Sequence, residues 1–159
     1  MASVEKRTEA AAKGAVADRQ RAMGLLAKAS RPELQAAFDA LADKPVVQPV
    51  RGPETGLVMV RGRIGGGGAP FNLGEATVSR ASIRLADGTV GHGQALGTDG
   101  VKARLSAIFD ALFQQPAHRA EVDALLSAIA ARIADEDAEK ARQTAATRVD
   151  FFTMVRGED

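Results

Sequence analysis

Cysteine, tryptophan and tyrosine are absent from these 159 residues. Without cysteine there is no disulfide, no thiolate nucleophile and no cysteine-ligated zinc or iron–sulfur site. With Phe as the sole aromatic, aromatics make up 4% of a chain that is 45% hydrophobic, so the core is expected to be built from small aliphatic side chains, many of them Ala. Such a core gains less from burial per residue than one of Leu and Phe, which makes support from a partner protein an expectation from composition alone. Charge of one sign is lacking too. Lys and Arg number 21 against 20 Asp and Glu, a net charge of +1, so nothing draws the chain toward nucleic acid, a membrane surface or an acidic substrate. No run approaches the ~20 apolar residues of a membrane span. The opening "MASVEKRTEAAAKGAVADRQ" has no apolar signal-peptide stretch, and its acidic residues argue against a transit peptide. The expectation is a cytoplasmic protein with no membrane and no nucleic-acid partner.

What is present reads as helices, then strands, then helices. Residues 1–17 are Ala-, Lys- and Glu-rich without an apolar stripe and are read as a frayed extension. A helix is predicted from Asp18, with Met23, Leu26 and Ala27 at helical spacing. "SRPELQAAFDAL" starts a second one: Ser30 is the N-cap, Pro32 lies in the first turn, and Glu33 completes a capping box. From Lys44 onward prolines and β-branched residues take over, giving a short edge strand over 46–50 and a longer one over 55–64. "EATVSRASIRL" and "TVGHGQALG" flank a tight turn at Asp87-Gly88. Asp99 caps a helix with Val101, Leu105, Ile108, Ala111 and Leu112 as its stripe. A last helix starts near Arg119, with Val122, Leu125, Leu126, Ile129 and Ile133 apolar and only Ala beyond them. The fold class is α+β: an antiparallel sheet of about four strands, two N-terminal and two C-terminal helices, and a strand-like C-terminal tail. One domain is expected over 18–148, with 149–159 as a docking tail.

Few residues carry an obvious chemistry. The run Gly65, Gly66, Gly67, Gly68 offers bare backbone N–H groups to an anion, but a strand follows it where a P-loop needs Gly-Lys-Ser/Thr and a helix. A hairpin connection is the better reading. Arg61 and Arg63 share one strand face, as do Arg80 and Arg84. If their strands pair, four guanidiniums gather on one sheet face and hold a phosphate or a carboxylate. The bland alternative is a solvated face whose Arg stems cover apolar surface. His92 and His118 occupy different elements, which makes them a poor metal site. His92, between Gly91 and Gly93, reads as a surface or structural histidine before an acid–base one. No metal site and no catalytic constellation is expected.

The end of the chain, "RVDFFTMVRG", is too apolar for a solvated tail. Aromatics, Met and Arg are the types enriched at protein interfaces, so Arg148, Phe151, Phe152, Met154 and Arg156 are read as partner-docking residues. This decapeptide, "ETGLVMVRGRIGGGG", "FNLGEATVSRASIRLADGTVGHGQALGTD" and "DALFQQ" together resemble the G subunit of the bacterial carbon–phosphorus lyase core complex. The likeness runs in order from about Glu54 to Gly157; the N-terminal helices are similar in character only. The resemblance implies a role in phosphonate catabolism. The G subunit acts there with the H, I and L proteins to transfer ribose triphosphate from ATP to an alkylphosphonate, releasing adenine. It further implies a core assembly of G with H, I and J. The iron–sulfur cluster and S-adenosylmethionine are expected on J, with ATP as substrate of the complex and no cofactor in this chain. Two roles remain open: a mainly structural subunit, or a direct contributor to triphosphate or phosphonate binding through the Gly-rich loop and the Arg face.

Overall fold

Capping chemistry sets the helix boundaries. The computed structural model describes residues 2–147, with side-chain detail for 13–147 apart from residue 66. Helix α1 spans Ala2–Lys28, so it begins well before the Asp18 start that the apolar pattern gave. Helix α2, Arg31–Ala40, opens on the predicted capping box, the Ser30 side chain accepting from the Glu33 N–H while the Glu33 carboxylate accepts from the Ser30 N–H. Helix α3, Gly100–Phe113, is capped by the Asp99 carboxylate, which accepts from the Lys102 N–H at 2.9 Å. Helix α4 runs Arg119–Ala146, burying Val122, Leu126 and Ile129 in its first half, with Leu125 and Ile133 partly buried beside them.

Among the described residues the sheet has three antiparallel strands in the order β1-β2-β3, not the four expected. Strand β1 (Val47–Arg63) is continuous where two strands were expected. It carries Pro49 and Pro53 because it is an edge strand, where a missing N–H leaves no ladder bond unmade, and because bulges at Pro49/Arg51 and Arg51/Glu54 absorb the breaks. Strand β2 (Pro70–Leu85) starts five residues before the expected Glu75. It turns into β3 (Val90–Leu96) through Ala86-Asp87-Gly88. Gly88 there takes φ 91, as the last residue of a three-residue hairpin loop requires. Among the described residues no fourth strand joins β3, and side chains take its outer edge instead. The Asp110 carboxylate accepts from the His92 N–H at 2.8 Å, and Gln114 Nε2 donates to the Val90 carbonyl at 2.9 Å.

Helix α3 is the centre of the molecule. One side lies on the sheet and the others meet α1, α2 and α4, so residues 105–113 are all buried in place of the single stripe expected. Val101 is the exception in that stripe; it is exposed at the start of the helix. The approach of α3 to β3 explains the sequence "GHG". A Cβ on Gly91 would strike the Ala107 carbonyl and lie 2.7 Å from the Ala111 nitrogen, and one on Gly93 would strike the Ala103 carbonyl. The two glycines let a helix backbone rest against a strand, and His92 between them points to the opposite, open face.

Candidate functional site

Two surfaces stand apart from this core: the open face of the three-stranded sheet and a two-stranded arm beyond it. The arm exists because β1 and β2 are much longer than β3. Strand β3 pairs with β2 only from Val78 to Arg84, whereas β1 and β2 stay paired out to Arg63 and Pro70. Seven of the twelve large apolar side chains exposed among the described residues lie there: Leu57, Val58, Met59, Val60, Ile64, Phe71 and Leu73. That concentration is not the scatter of single exposed apolar residues normal for a monomer. Leu57 and Met59 alternate with Val58 and Val60, so both faces of the ribbon are apolar. Beyond β3 both of its edges are also unpaired among the described residues.

At the tip the Gly-rich connection is short. Ile64–Gly66 forms a single 3-10 turn, and the N–H groups of Gly67 and Gly68 both donate to the Ile64 carbonyl. Those two donors close the turn instead of facing outward. Arg63 Nη1 donates to the Gly68 carbonyl at 3.0 Å, and Arg61, Gly62, Arg63 and Pro70 line an open cavity of about 570 Å³.

The register separates the four arginines singled out from sequence. Arg61 and Arg63 lie opposite Asn72 and Pro70, Arg80 lies opposite Glu54, and Arg84 opposite Gln48. From Asn72 to Arg80 is eight residues of β2, about 26 Å at ~3.3 Å per residue. The strands pair as the expectation required, yet the guanidiniums fall into a tip pair and a sheet pair. Arg80 instead meets a residue that the alternation concealed. Over Gly52-Pro53 strand β1 bulges, so Arg51 faces Ser82 while Glu54 faces Arg80. Three residues apart, Arg51 and Glu54 would point to opposite faces of a regular strand; the bulge turns both to one. Gly52 is required there, since it takes φ 70 and a Cβ would lie 2.7 Å from the Arg80 carbonyl. Glu54 Oε1 forms an ion pair with Arg51 Nη2 at 2.8 Å and accepts from Arg80 Nη2 at 3.1 Å. Next to them the Ser82 hydroxyl and His92 Nδ1 are 2.8 Å apart. Arg51, Arg80, Ser82, His92 and Gln94, with Met23 of α1 at the rim, line a cavity of about 170 Å³.

His118 pairs with Glu121 at 3.3 Å, far from His92 in the chain, and no metal-ligating cluster occurs among the described residues. The docking residues read from the tail, Arg148, Phe151, Phe152, Met154 and Arg156, lie outside the described residues. Among those described, no helix is long and apolar enough to cross a membrane.

A family model described as phosphonate metabolism protein PhnG matches residues 17–157. The chain belongs to this family. A PhnG relative from Rhizobium meliloti (strain 1021), the alpha-D-ribose 1-methylphosphonate 5-triphosphate synthase subunit PhnG, is 70% identical over 144 residues, covering 91% of this chain and 92% of the relative. The PhnG match takes in the whole sheet, the arm and all four helices except the start of α1.

Proposed function

We propose that the chain is the G-type subunit of an alpha-D-ribose 1-methylphosphonate 5-triphosphate synthase and that its role in that complex is mainly to assemble it. The reaction is the transfer of ribose triphosphate from ATP to an alkylphosphonate with release of adenine. The partners are the H, I and L proteins, with J in the core assembly. The iron–sulfur and S-adenosylmethionine chemistry is assigned to J; this chain has no cysteine with which to ligate a cluster. The observation that supports an assembly role is the arm, a ribbon apolar on both faces and, among the described residues, open at both edges. Two-stranded ribbons are marginal in water, and unpaired strand edges are templates for other chains. A subunit whose arm is sheathed by its neighbours resolves both.

The test is reconstitution. Adenine release from ATP and methylphosphonate is measured with the partner subunits in the presence and absence of this chain. Release is expected only when the chain is present and none from the chain alone. Release by the chain alone, abolished by changing one of its own residues, overturns the assembly reading. A second reading, direct contact with the triphosphate by Arg61 and Arg63 beside Gly65–Gly68, draws on the cavity at the arm's tip. It is favoured if Arg61→Ala lowers turnover while leaving assembly intact.

A further inference from the structure

The open face of the sheet carries a cluster that assembly does not explain. Arg51 and Arg80 converge from neighbouring strands on a cavity of about 170 Å³, with the Ser82–His92 pair and the Gln94 amide on its walls. No carboxylate is among the described residues lining it. Glu54 instead grips both guanidiniums through a single oxygen, fixing their positions from outside the cavity. Arg80 Nε is the one buried side-chain nitrogen or oxygen without a hydrogen-bond partner among the described residues. A buried donor left unpaired marks a place where a hydrogen-bond partner is missing. The polar side chains on its walls are donors or groups that can donate, two guanidiniums, a hydroxyl, an imidazole and a carboxamide, beside Met23, Ala81 and Gly93. That set suits a compact anion with several acceptor oxygens, and planar guanidinium forks suit phosphoryl-type oxygens in particular. The volume is several times the ~30 Å³ share of one water, enough to admit a tetrahedral group.

We infer that this cavity is a binding site for one tetrahedral phosphorus oxyanion, held chiefly by Arg51 and Arg80, with Ser82, His92 and Gln94 completing its shell. The inference does not depend on the assembly role, because binding is read on the chain by itself. Arg84 supplies the internal control. It shares the strand and the face of Arg80 but lies four residues away, opposite Gln48 and outside the cavity.

The experiment is calorimetric titration of the purified full chain with inorganic phosphate, methylphosphonate and tripolyphosphate, and with acetate for comparison. One saturable site is expected for the phosphorus anions and none for acetate. Arg80→Gln and Arg51→Gln should each weaken binding roughly tenfold or more, as loss of a charge-assisted hydrogen bond does. Arg84→Gln should leave it unchanged. Arg51 lies on the exposed edge strand, so its variant keeps the test decisive if Arg80→Gln folds poorly. Preference for phosphate or methylphosphonate identifies a free anion as the occupant; preference for tripolyphosphate identifies the end of a longer phosphate chain. No saturable binding, equal binding of acetate, or equal weakening by Arg84→Gln overturns the inference and leaves a solvated Arg–Glu cluster.

Discussion

At the scale of single residues, side chains take the places that a fourth strand or a larger core would fill elsewhere. Asp110, fully buried, accepts from Arg19 Nε at 2.9 Å, from Arg19 Nη2 at 2.8 Å and from the His92 N–H, so one carboxylate ties α1, α3 and β3 together. Asp110→Ala removes all three bonds and strands a backbone N–H; a loss of about 3 kcal/mol is expected in denaturant unfolding, as for other broken buried ion pairs. Gly93→Ala drives a methyl into the backbone of α3. It should cost about 3 kcal/mol or more, whereas His92→Ala next to it should stay within about 0.5 kcal/mol. Thermal melts of the two variants, adjacent in sequence, check that contrast. Neither effect was legible beforehand. "GHG" drew attention to the exposed histidine, while the glycines carry the packing constraint. Asp110 sits inside an apolar helix stripe with nothing in the sequence to name Arg19, 91 residues earlier, as its partner.

At the scale of elements, local signals were sufficient wherever one residue decides the backbone. The capping box at Ser30, the cap at Asp99 and the turn at Asp87-Gly88 all stand where the sequence put them. The strand count did not follow, because prolines read as breaks are tolerated on an edge strand, and a bulge that keeps pairing intact leaves no periodic trace. For the same reason Arg51 and Glu54 were missed; the one available signal was Gly52-Pro53 inside a β-branched stretch. Contacts between helices also bear on pH. Arg132 of α4 donates to Glu33 of α2 at 2.7 Å and to the Lys28 carbonyl at the end of α1 at 3.1 Å. Partial burial works to raise the Glu33 pKa, but the hydrogen bonds from Arg132 and Ser30 together outweigh it and hold the carboxyl down at about 2, against 4.5 ordinarily. A depressed carboxyl stabilises the fold fully above its unfolded pKa and loses that contribution as protons bind the folded form. Stability should therefore decline between pH 4.5 and about 2. Arg132→Ala should flatten that part of the profile while costing about 0.5–1 kcal/mol at neutral pH, the range for a pair near the surface. Chemical denaturation of both proteins across that window measures the difference; parallel profiles count against the pairing.

At the scale of the whole molecule, the core formed by the described residues lies within α1–α4 and the three-stranded sheet, and the arm adds little to it. Composition had already indicated an Ala-rich core that gains from a partner, and the tail "RVDFFTMVRG" was singled out as the place of contact. The structure adds a second surface that the sequence showed only as β-branched strands: whether Val58 or Met59 is buried depends on how far β3 extends, which no local pattern records. A chain ending before Arg148 keeps every described residue of the core cluster. It is expected to melt as the full chain does yet to join its partners more weakly, as size-exclusion chromatography of the mixed subunits would show. The most direct test of the assembly role is co-purification of the Leu57→Ser, Met59→Ser double variant with the other synthase subunits. Both side chains are exposed, so folding should be unaffected. Truncated interface anchors commonly cost ~2 kcal/mol or more each, so the variant is predicted to be missing from the complex and adenine release to fail with it. Stoichiometric recovery of the variant, with adenine release undiminished, would contradict the account.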